Sequence, residues 1–80
     1  MIEKDNNYRE GKFVGNNVAD RIETTVYRNL EAAIKQKQSL IDHFENELGF
    51  ARNQESHDRN YAFNCGILDA FKERYKKEKE

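Results

Sequence analysis

The residues whose types and spacing could do chemistry lie near the start of the chain, in the stretch YREGKFVGNN. Two aromatic and two basic residues are interleaved there: Tyr8, Arg9, Lys12 and Phe13. Such a set can stack on a nucleobase and pair with a phosphate, and it can also serve as a contact for a partner protein. Two glycines between them, Gly11 and Gly15, would let the backbone turn or approach a ligand closely. The competing interpretation is a flexible arm whose apolar residues cover Val18 and Ile22.

The single cysteine and the two histidines are the other candidates for chemistry. Cys65 would need a lowered pKa to act as a nucleophile, but its spacing places it on the apolar side of a helix, where it is a small buried residue. His43, Glu47 and His57 could bind zinc at the tip of a hairpin, although this spacing is common by chance on helices. No phosphate loop, metalloprotease signature or catalytic triad is found. The sequence therefore predicts no catalytic residue, no metal site, no cofactor and no enzyme.

Composition excludes further classes of protein. The chain has 80 residues, and 14 basic residues against 15 acidic ones give a net charge of −1. This balance argues against general nucleic-acid binding, which normally needs a basic excess. No apolar run approaches the roughly 20 residues of a membrane span, and the first residues lack the apolar region of a secretory signal. We expect a cytoplasmic protein without a membrane. Its composition resembles that of short helical proteins of phages and mobile elements, which is a weak indication of origin.

The elements that would position these residues are predicted to be helices within one domain, residues 1–80. The predicted parts are a non-repetitive arm (1–16), a long helix (17–48), a turn (49–53) and a second helix (54–78). Asn17 is the expected cap of the first helix. Gly49 suits the left-handed position after its end, and Phe50 is expected to contact the last turn, where Phe44 is available. Asn53 or Ser56 is the expected cap of the second helix.

The short turn predicts an all-α fold, an antiparallel hairpin of two long helices preceded by the arm. The apolar residues of the second helix cover an arc of roughly 200°, about twice what one facing helix covers. The first helix also outruns the second, so that Val18 and Ile22 near its start must be covered either by the arm or by another chain. We therefore expect a helical-bundle homo-oligomer. The predicted packing interface consists of Val18, Ile22, Phe63, Gly66, Ile67, Ala70 and Phe71.

Three functions are compatible with these features. The first is a non-enzymatic helical protein that binds a partner protein as an inhibitor, adaptor or regulator. The second is an oligomer that binds a nucleotide-like phosphate ligand through Tyr8, Arg9 and Lys12. The third is a nucleic-acid-associated regulator with a local basic face. The over-wide apolar arc favours the first.

Overall fold

The computed structural model describes residues 1–23, 27–54 and 58–79. Over these residues the chain is helical and contains no strand. A short 3-10 turn, Ile2–Lys4, is followed by α1 (Asn6–Glu23), α2 (Tyr27–Leu48) and α3 (Arg59–Lys79). The all-α class is therefore confirmed, whereas the two-helix hairpin is replaced by three helices. None of the described helices combines the length and the apolar character needed to cross a membrane.

The predicted arm is the first correction, because most of residues 1–16 lie in α1. Asp5 precedes this helix, and its carboxylate Oδ1 accepts a hydrogen bond from the Asn7 N–H at 2.7 Å. Its carbonyl accepts from the Arg9 N–H at 3.1 Å, as the start of a helix requires. Asn17, the predicted cap, lies inside α1 and is exposed to solvent.

The predicted long helix over 17–48 is the second correction, because α1 ends at Glu23 and α2 begins at Tyr27. The end of α2 was predicted correctly. Gly49 has a φ of 76°, in the left-handed region that favours glycine. The Phe50 N–H donates to the Phe44 carbonyl at 3.2 Å, and the two rings stack with their centroids 5.7 Å apart.

The second predicted helix begins at Arg59 rather than at residue 54. Its cap is Asp58, whose Oδ1 accepts a hydrogen bond from the Asn60 N–H at 2.8 Å. Of the two predicted caps, Asn53 lies in the preceding turn, and Ser56 lies outside the described residues.

The helices α1 and α3 pack closely side by side and run in the same direction, since Gly11 faces Phe63 and Asp20 faces Arg74. Small residues recur every fourth position along both helices: Gly11, Gly15 and Ala19 in α1, and Ala62, Gly66 and Ala70 in α3. A Cβ atom added at Gly11 would lie 2.0 Å from the Phe63 carbonyl oxygen. The two backbones are therefore in direct contact, which only residues without a large side chain allow.

α2 runs antiparallel to α3 and covers another of its sides. Lys37 donates a hydrogen bond to the Asn64 side chain at 2.9 Å, while Phe44, near the end of α2, contacts Tyr61, near the start of α3. The buried residues form two clusters around α3. The first consists of Ile2, Tyr8, Ile41, Tyr61, Ala62, Cys65 and Leu68. The second consists of Ala19, Leu30, Ile67 and Phe71.

The wide apolar arc of α3 is thus covered within the chain, by α1 on one side, α2 on another and the first residues between them. The inference that more than one helix must bury this arc was right, but the second helix is α1 of the same chain and not a helix of another chain. The arc therefore no longer requires a second chain.

Candidate functional site

The four aromatic and basic residues near the start of α1 point in two directions. Tyr8 is 8% exposed, and its hydroxyl donates a hydrogen bond to Asp69 Oδ2 at 2.7 Å. Lys12, one turn later, forms an ion pair with Glu73 of α3. Arg9 and Phe13 are exposed on another side of the helix. Positions four apart share a face of a helix, so the set divides into an inward pair and an outward pair.

Tyr8, one member of the inward pair, forms a polar cluster with Arg52 and Asp69, here called the Asp69 cluster. The Arg52 guanidinium holds the Asp69 carboxylate with two parallel hydrogen bonds of 2.8 and 2.9 Å. The Arg52 carbonyl accepts from the Ile2 N–H at 3.1 Å, and Ile2 is fully buried. One arginine therefore joins the start of the chain, the connection after α2 and the middle of α3.

The electrostatics of the Asp69 cluster show that its charges are matched. Burial raises the pKa of Asp69, but the hydrogen bonds from Arg52 and Tyr8 outweigh this effect, and the pKa lies below its usual value. Burial and the hydrogen bond to Asp69 raise the pKa of Tyr8, which stays protonated as a donor. A phosphate ligand at Tyr8 would have to displace the Asp69 carboxylate from its two hydrogen-bond donors, Tyr8 and Arg52. We therefore infer that the Asp69 cluster stabilises the fold.

Cys65 is fully buried and belongs to the same core cluster as Ile2. Burial is the main reason that the pKa of its thiol is raised to about 11. The adjacent Tyr61 donates its hydroxyl hydrogen bond to Glu45 Oε2 at 2.7 Å, and burial raises its pKa as well. Cys65 is therefore a small buried core residue, as the sequence predicted, with a pKa that favours the protonated thiol.

We expect Cys65 to react with an aromatic disulfide reagent at neutral pH far more slowly than an unfolded thiol does, because reaction requires both access and the thiolate. Absorbance of the released thiolate in native buffer and in denaturant measures the two rates. Similar rates in both solutions would show that Cys65 is accessible in the folded protein.

The outward pair lies on the solvent side of α1, which we call the outer face. It consists of Asn6, Arg9, Glu10, Phe13, Asn17, Asp20 and Arg21, all exposed. Phe13 is 68% exposed, as much as Met1 and more than any other large apolar residue among the described positions. Asp20 forms an ion pair with Arg74 of α3, yet its side chain remains 64% exposed. The outer face therefore combines one exposed aromatic ring with fixed charges of both signs.

The predicted interface residues lie largely in the interior of the chain. Gly66, Ile67, Ala70 and Phe71 are buried, and Val18, Ile22 and Phe63 are half-buried against the second core cluster. Their role in an oligomer stays a prediction.

The remaining candidates are dispersed. His43 and Glu47 are exposed on α2, and His57 lies outside the described residues. Over the ranges that the structure describes, no group of acidic, histidine or cysteine side chains is arranged to hold a metal ion, and no pocket is found.

Comparison with protein-family models, with curated proteins and with solved structures gave no match to this chain.

Proposed function

We propose that this chain is a non-enzymatic helical protein that binds a partner protein through the outer face of α1. The observation that carries the proposal is the 68% exposure of Phe13 in the middle of that face. An inhibitor, an adaptor and a regulator would all act in this way. A cytoplasmic location and a phage or mobile-element origin stay predictions from composition.

The outer face has the chemistry and the rigidity of a docking surface. Aromatic and arginine side chains are enriched among residues that dominate binding energy, and Arg9 precedes Phe13 by one helical turn. The opposite side of α1 is in backbone contact with α3 through Gly11 and Gly66. A helix held in this way loses little conformational freedom when a partner binds, which favours affinity. The fitting partner offers an apolar pocket for Phe13 and a carboxylate for Arg9.

The two alternatives receive less support from the observed contacts. A nucleotide-like ligand would need Tyr8 and Lys12, but Asp69 and Glu73 already engage them. A nucleic-acid surface would need exposed, uncompensated cations. Three of the basic side chains, Lys12, Arg52 and Arg74, form ion pairs with carboxylates of the same chain. A nucleotide-like ligand at Tyr8 and Lys12 would therefore break existing pairs, whereas binding at Phe13 breaks none of them.

Site-specific photocrosslinking in the native host tests the proposal. A benzophenone amino acid replaces Phe13 in the full chain, and the matched control carries it at Leu48, an exposed apolar position of α2. We expect position 13 to give a discrete adduct with a different protein, distinguished by its mass from an adduct between two copies of this chain, and position 48 to give a much weaker one. The adduct from position 13 is expected to fall several-fold when Arg9→Glu is added, but not with Lys4→Glu, the same charge change outside the outer face.

Equal adducts from positions 13 and 48, or an adduct that Arg9→Glu leaves unchanged, would contradict the proposal. Circular dichroism of each variant confirms that helicity is retained, so that a lost adduct reports on the surface and not on folding.

A further inference from the structure

We infer that the outer face of α1 binds a second copy of this chain, with the two α1 helices antiparallel about a two-fold axis close to position 15. This inference rests on the proposed function, because it names the occupant of the same surface. It follows from the charge pattern of the face and from the position of Phe13.

The charges of the outer face are arranged as a palindrome. Arg9 and Glu10 lie towards the start of α1, and Asp20 and Arg21 lie towards its end, all exposed. At about 100° per residue, Arg9 and Asp20 fall on one edge of the face, and Glu10 and Arg21 fall on the other. In an antiparallel pair, a two-fold axis brings each edge against the same edge of the partner helix. Arg9 then meets Asp20 of the second copy, and Glu10 meets its Arg21, so that opposite charges pair four times.

The Asp20 side chain is already held in an orientation that allows such a contact. Arg74 already holds one of its oxygen atoms, which fixes the carboxylate, and the side chain is nevertheless 64% exposed. A cation from a second chain can therefore join the existing pair as the third member of a small network, an arrangement that stabilises more than an isolated surface pair.

Phe13 lies at the centre of this arrangement. With the two-fold axis near position 15, the two Phe13 side chains are separated by about 6 Å along the helix axis, on the same edge. Ring centroids about 4.5 to 7 Å apart are typical of favourable aromatic pairs. The exposed ring that has no apolar neighbour within its own face thus finds one in a second copy.

The antiparallel orientation is favoured by the helix dipoles. A parallel pair could also match the charges, but it would align the two macrodipoles side by side, whereas the antiparallel pair opposes them. The contact is one helix face from each chain, which places it at the small, reversible end of protein interfaces. A foreign partner that uses the outer face would therefore compete with self-association.

Analytical ultracentrifugation of the full chain tests the dimer over a concentration range of about 10 µM to 1 mM. We expect the mass to rise from 9.5 kDa towards twice that value. Phe13→Ser and Arg9→Glu are each expected to weaken dimerisation at least tenfold. The matched controls Leu48→Ser and Lys4→Glu, which change the same chemistry elsewhere on the surface, are expected to leave it unchanged.

Cysteine crosslinking tests the orientation, and the buried Cys65 gives a low background. In the antiparallel pair, cysteines at Asn17→Cys lie about 6 Å apart along the helix axis, and cysteines at Asn6→Cys lie about 27 Å apart. A short bis-maleimide reagent is therefore expected to join the first variant and not the second. Equal crosslinking of both variants would indicate a parallel pair and overturn the inference.

The failure of this inference differs from the failure of the proposed function. A chain that stays monomeric throughout, yet gives a foreign adduct from position 13, overturns the dimer and leaves the docking surface supported. A monomeric chain that gives no adduct overturns both.

Discussion

Replacing Gly66 by alanine is expected to lower the free energy of unfolding by about 3 kcal/mol, which for a chain of this size lowers Tm by about 15 °C. The added Cβ would lie 2.2 Å from the Tyr8 carbonyl oxygen and 2.7 Å from the Lys12 nitrogen. Both are backbone atoms of α1 and cannot rotate away, so α1 and α3 must separate along their length. The gain in helix propensity, about 1 kcal/mol, is too small to offset the lost packing. Denaturant unfolding followed by circular dichroism measures the change.

The other glycines provide graded controls for this prediction. Gly11→Ala is expected to cost as much, because its Cβ would lie 2.0 Å from the Phe63 carbonyl oxygen. Gly15→Ala is expected to cost less, since its nearest neighbour is the Ala70 Cβ at 2.8 Å. Gly49→Ala meets nothing within 4 Å and should lose only about 1 kcal/mol, from its positive φ. If Gly66→Ala is no more destabilising than Gly49→Ala, α1 and α3 are not in backbone contact.

These same glycines explain why α1 could not be predicted from the sequence. Within a local window, Gly11 and Gly15 are signals of a loop, because each costs about 1 kcal/mol inside a helix. Their compensation comes from contacts with Phe63 and Ile67, which lie more than 50 positions away in the sequence. Helix propensity is a local property and does not include the stabilisation that comes from these distant contacts. The end of α2 was predictable, because Gly49 and the Phe44–Phe50 contact form a motif within a few residues.

The boundary between α1 and α2 was missed for a different reason. Apolar residues continue at helical spacing from Val18 and Ile22 to Leu30 and Ala33, so the periodicity shows no break. Both helices bury the same kind of stripe because both pack against α3. Periodicity reports which residues face a core, and it does not report whether the chain reverses between them.

The candidate site was predicted in part. From the sequence, the four residues near the start of α1 formed one set, because an arm without regular structure does not define which way each side chain points. Once they lie in a helix, Tyr8 turns towards Asp69, and Phe13 turns towards solvent. The Asp69 cluster itself had no sequence signal, because Arg52 and Tyr8 are separated from Asp69 by 17 and 61 positions. Only the fold brings them together.

Replacing Asp69 by asparagine is expected to lower the free energy of unfolding by about 2 kcal/mol at neutral pH. The substitution keeps the shape of the side chain but leaves the Arg52 guanidinium without its counter-charge. The loss is smaller than for a fully buried pair, because the two side chains are 34% and 21% exposed. The matched control is Glu73→Gln, one turn later in α3. Its ion pair with Lys12 is 63% exposed on the glutamate side and should contribute at most about 0.5 kcal/mol.

The pH dependence of the free energy of unfolding distinguishes the contribution of the Asp69 charge from the contribution of its packing. The pKa of Asp69 is lower in the folded protein than the value of about 3.9 in an unfolded chain. The folded state therefore binds fewer protons at this site, and the stabilisation is fully present above the unfolded pKa. It is lost as the pH falls through the folded pKa. We therefore expect the difference in stability between the wild-type chain and Asp69→Asn to be constant from about pH 7 to pH 5 and to shrink below about pH 4. Denaturant unfolding at each pH measures it. A difference of the same size near neutral pH and well below the unfolded pKa would show that the carboxylate charge contributes nothing and that the asparagine substitution destabilises the chain through its altered hydrogen bonds alone.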